Sequence, residues 1–165
     1  MAITFVSSVL STGTGTTTSF TLVLPITQAN DILAMEYVHR STSDVTNGIT
    51  GTYNGGAWTE KFQQNFSTFS AHGYWSRATG DHLNQTVIGA STVNACAAVL
   101  SVYRGCITTV DPLDEATIVG EQNASGNEVQ AGITTANTGA WVILVVANSP
   151  DLAVATQSTV NFGAL

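Results

Sequence analysis

Apolar side chains in this chain recur at every second position in short runs, and no stretch sustains a 3.6-residue period. Neighbouring side chains of an extended strand point to opposite faces, so this spacing makes ribbons with a core face and argues against a helical fold. Ile3, Phe5 and Val9 alternate with polar neighbours, and Phe20, Leu22 and Leu24 do so again before Pro25. Segment 31–40 sets Ile32, Ala34, Glu36, Val38 and Arg40 on one face and Leu33, Met35, Tyr37 and His39 on the other, as expected of a central strand. Segment 71–80 alternates Ala71, Gly73, Trp75 and Arg77 with His72, Tyr74, Ser76 and Ala78. Further strands are expected over 62–69, 83–88, 97–104, 140–147 and 153–162, with Asn-Gly turns at Asn47 and Asn54. Strands about 10 to 20 residues apart, without a repeat of about 20 to 50 residues, predict an all-β fold. The expected architecture is an antiparallel two-sheet β-sandwich, jelly-roll-like, of about eight or nine strands, forming a single β-sandwich domain over residues 1–165.

Composition narrows the partners. Charged residues make up 9% of the chain, and 25 Thr and 14 Ser carry its polarity instead, which suits half-exposed pleated strands. The net charge is −7 and the only basic side chains are Arg40, Lys61, Arg77 and Arg104. Four scattered cations cannot neutralise a run of phosphates, so nucleic acid and anionic membrane are not expected partners. The longest apolar stretch, 141–148, is far shorter than the roughly 20 residues of a membrane helix. The opening MAITFVSSVLSTGTG has no positive leader, so synthesis in the cytoplasm without an export signal is expected.

The search for catalytic chemistry returns little. GxSxG, the P-loop, GxGxxG, HExxH and CxxC are all absent. Gly13 and Gly15 form a GxG, but a Thr run leading into a strand follows it, with no helix to present its N-terminus to phosphate. Cys96 and Cys106 are the only thiols, and the extended run between them would hold them too far apart for a disulfide, so both are expected reduced, with Cys96 in the core. Of His39, His72 and His82, two could converge across neighbouring strands. Without a ligand spacing, the preferred reading is solvated loop or strand-edge histidines and no metal. Asp111, Asp114 and Glu115 read as an acidic solvated loop, because the EF-hand pattern is missing. The sequons at Asn65, Asn84 and Asn123 are no more than an Asn-, Ser- and Thr-rich chain yields by chance. No catalytic, cofactor or metal residues are therefore assigned, and an enzyme is not expected.

Aromatic residues offer the remaining binding chemistry. Trp75, Tyr103 and Trp141 lie within apolar strands and read as core or interface. Tyr53 and Trp58, in or beside the Asn-Gly loop, are the candidate surface-binding residues, with sugar rings as the chemistry they suit.

Four segments add a resemblance: DILAMEYV at 31–38, AWT at 57–59, YWSRATGD at 74–81 and AVLSVYRG at 98–105. In this order they resemble a β-sandwich module recurrent in bacteriophage virion proteins, matching its GDLL strand opening, GW turn, W-x-x-A-T strand ending and Y-R-G strand ending. The sequence differs in having Asn30 where the family commonly has Gly, and Ala57 before Trp58. The resemblance implies a non-enzymatic module used as capsid decoration or cement, as a head fibre, or on a tail fibre. It implies a place on the capsid exterior, with the major capsid protein or other virion proteins as partners and a homo-oligomer, a trimer favoured. The alternative is a receptor-binding or glycan-binding module. Tyr103, Arg104 and Gly105 suit a strand terminus at which Arg104 pairs with a carboxylate and Gly105 permits the turn, a structural role, and Trp75 is likewise assigned a structural role.

Overall fold

The computed structural model describes residues 2–14, 19–23, 26–39, 57–65, 70–80, 85–88, 95–112, 142–144, 147–148, 153–154 and 158–160. Its largest element is one five-stranded antiparallel sheet. The strands are β1 (Thr4–Thr14), β3 (Ile32–His39), β4 (Thr59–Asn65), β5 (Ser70–Arg77) and β7 (Ala95–Arg104), in the spatial order β1-β7-β3-β5-β4. Two shorter strands, β2 (Ser19–Leu22) and β6 (Gln85–Ile88), pair with each other. Near the C-terminus, β8 (Val142–Leu144) pairs with β11 (Ser158–Val160), and β9 (Ala147–Asn148) with β10 (Ala153–Val154).

The middle strand is the one whose sequence is apolar on both faces. Every residue of β3 is buried, because β5 and β7 flank it and both faces are covered. One face carries the core: Leu33, Met35 and Tyr37 from β3, Tyr74 from β5, and Ala98, Leu100 and Val102 from β7. Leu22, at the end of β2, and Ala78, just past β5, join this cluster. Leu33, Met35, Leu100 and Val102 have no exposed surface, and burial of each such side chain stabilises by about 1.5 to 3 kcal/mol relative to exposure.

The opposite face holds Ile32, Ala34, Glu36 and Val38 of β3, in register with Arg77, Trp75, Gly73 and Ala71 of β5. Val99 also lies on this face and Val102 on the core face, since an odd separation along a strand reverses the side. Trp75, read from the sequence as core or interface, lies on this opposite face too. Trp75 is half-buried away from the core cluster, with the Arg77 guanidinium 5.9 Å from its ring centroid. Gly73 makes room here for packing: a Cβ at this position would overlap the edge of the Phe62 ring, which lies across the strand. A bulge between Glu60 and Phe62 sets that ring's place, with Lys61 as the extra residue. Lys61 pairs with Asp111, and Arg77 donates to the carbonyl of Val110 at 2.9 Å, so two contacts tie the chain after β7 to β4 and β5.

Candidate functional site

Two polar constellations stand out. The first closes one end of the sheet, where β3 begins and β5 and β7 end. Asn30 has φ +73°, a left-handed conformation that Asn tolerates far better than most side chains. The turn it makes lets its N–H donate to the Ala78 carbonyl at 2.8 Å, while the Ala78 N–H donates to the Asp31 carbonyl at 2.8 Å. The buried Asp31 carboxylate accepts from the Gln28 N–H at 2.8 Å and from Arg104 through Nε at 2.9 Å and Nη2 at 2.8 Å. Burial pushes the Asp31 carboxyl up, but hydrogen bonds from Arg104 and Gln28, with the Arg104 charge, outweigh it and hold the group below the usual carboxylate range. Arg104 in turn is raised, chiefly by its hydrogen bond to Asp31. Gly105 follows with φ +83°, and a Cβ there would strike the carbonyl oxygen of Ala2. Thr27 closes the far side by donating to the Gly80 carbonyl at 2.7 Å.

The second constellation crosses three strands on the core face. His39 of β3 and His72 of β5 are both buried, and their Nε2 atoms lie 3.2 Å apart. His72 Nδ1 lies 3.0 Å from Oε1 of Glu60 on edge strand β4, whose side chain is 42% exposed. Tyr37 stacks on His39 with centroids 5.2 Å apart, and Tyr74 stacks on His72 at 6.1 Å. Burial pushes the Tyr74 phenol up, as do its hydrogen bond to Glu60 and the charges of Glu60 and Tyr37. Burial and then the charge of His72 push the His39 imidazole down from 6.5 to about 4. The reading of solvated or strand-edge histidines is thereby corrected for both. His39 shares parity with Leu33 and Met35, and His72 with Tyr74, so pairing β3 with β5 turns both rings into the interior. Among the described residues no group of three or more His, Cys, Asp or Glu side chains is arranged to hold a metal ion.

On the opposite face Glu36 is buried and its Oε2 has no hydrogen-bond partner among the described residues. Burial raises its carboxyl from 4.5 to about 8, against a smaller lowering by a backbone hydrogen bond, so it is protonated at neutral pH. Cys106 is a free, half-buried thiol; burial raises it, the Arg77 charge lowers it and Asp31 raises it further, with a net upward shift.

The aromatic candidates separate. Trp58, just before β4, is half-buried and packs against the core cluster, and Tyr53 lies outside the described residues. Tyr103 is buried next to Arg104 and meets Phe5 edge-on, ring centroids 5.9 Å apart. Trp141, His82, Asp114, Glu115 and the side chain of Cys96 also lie outside the described residues. Comparison of the chain with protein-family models, curated proteins and solved structures finds no match. Glu36 and Glu60 were missed by the sequence reading. The signal for Glu36 was available, as a carboxylate at the centre of a strand apolar on both faces.

Proposed function

We propose that this chain is a structural module of a bacteriophage particle, a capsid decoration (cement) protein on the outer head surface, built as a jelly-roll-like sandwich. One observation carries the reading. The segments that resemble the virion module meet in space and bind one another: Asp31 from the first, Ala78 from the third and Arg104 from the fourth join in one hydrogen-bonded clasp. Trp58, from the second, packs into the core cluster. These residues are occupied in holding strand ends together, which is what a scaffold signature requires and a ligand site does not. Leu22 brings β2 onto the core face of the large sheet, in keeping with a second layer there. The partners of such a module are capsid subunits and further copies of itself, held through many weak contacts that gain from symmetry.

The test is a phage deleted for this protein, with copy number counted on the wild-type particle. Hundreds of copies, heads that assemble without the protein but release DNA at lower temperature, and unchanged adsorption are the expected results. A few copies per particle, normal thermal release and failed adsorption would overturn the proposal in favour of a receptor-binding or glycan-binding module.

A further inference from the structure

We propose that Glu60, His72 and His39 form a one-proton latch across β4, β5 and β3, which takes up one added proton beside the Glu60 carboxylate and releases edge strand β4 when acid adds a second. The geometry fixes the protons. A carboxylate only accepts hydrogen bonds, so the Glu60 contact at 3.0 Å places a proton on His72 Nδ1. Neutral His72 then presents a lone pair at Nε2, and the 3.2 Å contact requires His39 to donate from its own Nε2. His39 Nδ1 is left as a bare lone pair, and it has no partner among the described residues. The two rings thus hold opposite tautomers, each dictated by the next group outward, with the exposed Glu60 carboxylate as the terminus.

Within this trio the open buried lone pair for an added proton is His39 Nδ1. When it lands there, the Nε2 proton of His39 passes to Nε2 of His72. His72 becomes an imidazolium beside the Glu60 carboxylate, and His39 remains neutral with its tautomer reversed. Atoms and charge balance, but the new Nδ1–H of His39 points into the interior with no acceptor among the described residues, a loss of the kind that makes buried polar groups costly. A second proton must either sit on His39, in contact with the His72 cation, or neutralise Glu60 and remove the charge that stabilises it. Among the described residues, the titratable groups facing the pair are Tyr37 from β3, Glu60 from β4 and Tyr74 from β5. Among the described residues Glu60 is the one carboxyl that faces the pair, so there one negative charge serves both rings. The latch acts within the sheet and is independent of what the outer surface binds.

Nitrogen-15 spectra of the imidazoles in the full chain test this directly. At neutral pH, His72 should carry its proton on Nδ1 and His39 on Nε2, and on acidification the tautomers of both should change together. Hydrogen exchange should show the amides of β4 losing protection as acid adds the second proton, with β1 and β7 still protected. Glu60→Gln keeps an acceptor oxygen but no charge. If the carboxylate is what tolerates the first proton, the variant should release β4 at a pH higher by about one unit, a tenfold change in proton affinity of the open over the closed state. Matching tautomers, independent titration near the usual histidine value, or a release pH unmoved by Glu60→Gln would each overturn the latch.

Discussion

At the scale of single residues, the start of β3 depends on a backbone conformation more than on a contact. Asn30 occupies left-handed space, and both Asn and Gly reach φ +73° with little penalty. Alanine does not. Asn30→Ala is expected to destabilise the fold by about 1 to 2 kcal/mol, and Asn30→Gly to leave it nearly unchanged, measured as urea midpoints with unchanged slope. Equal losses in the two variants would show that the Asn side chain, not its φ, is what matters. The adjacent Asp31–Arg104 pair has a different character. Asp31 is buried while 40% of the Arg104 side chain is exposed, so removing Arg104 strands a carboxylate that Asp31→Asn in the same chain would relieve. Arg104→Ala should therefore lower the melting temperature more than the double variant does.

At the scale of elements, Leu10 and Leu100 are both strand leucines, in β1 and β7, but Leu100 has no exposed surface and Leu10 is 59% exposed. Leu100→Ala is expected to cost about 2 to 5 kcal/mol, against a few tenths for Leu10→Ala, read from denaturant melts of the two variants. Comparable losses would mean that the outer face of β1 is covered in solution, by a second copy or by another part of the chain. Periodicity was enough to place β3, β5 and β7 and to mark β3 as central, because a run apolar on both faces has nowhere else to go. It could not supply the order β1-β7-β3-β5-β4, since alternation tells which side a residue faces and not which strand lies beside it. This is why the faces of His39 and His72 were legible and their meeting was not. The bulges after Phe5 and Glu60 were hidden for a related reason: an inserted residue breaks parity locally and reads as noise. Arg104 was legible as a strand-end cation, but its partner Asp31 lies 73 residues away, beyond any local pattern.

At the scale of the whole molecule, the two faces of the sheet respond to pH in opposite directions. Glu36 binds its proton more tightly folded than unfolded, so its contribution is full below about pH 4.5 and is lost as pH rises toward about 8. His39 is held neutral by the fold; its contribution is full above about pH 6.5 and is lost as pH falls toward about 4. Between about pH 4.5 and 6.5 these slopes oppose each other, which predicts a broad stability maximum there. Below it Asp31 adds to the loss, since its lowered carboxyl must take up a proton against Arg104. Above it Glu36 is, among the described groups with a shifted proton affinity, the one that titrates, and its ionisation from pH 6.5 to 8 should remove about 2 kcal/mol. Glu36→Gln keeps the shape of the side chain and cannot ionise. Urea unfolding at pH 6, 7 and 8 is expected to show the wild type weakening across this range while Glu36→Gln stays nearly level, and in the variant the loss toward acid should begin near pH 6.5, where nothing opposes His39. If the two proteins weaken in parallel, Glu36 ionises at its ordinary value, and the face beneath Phe62 admits water.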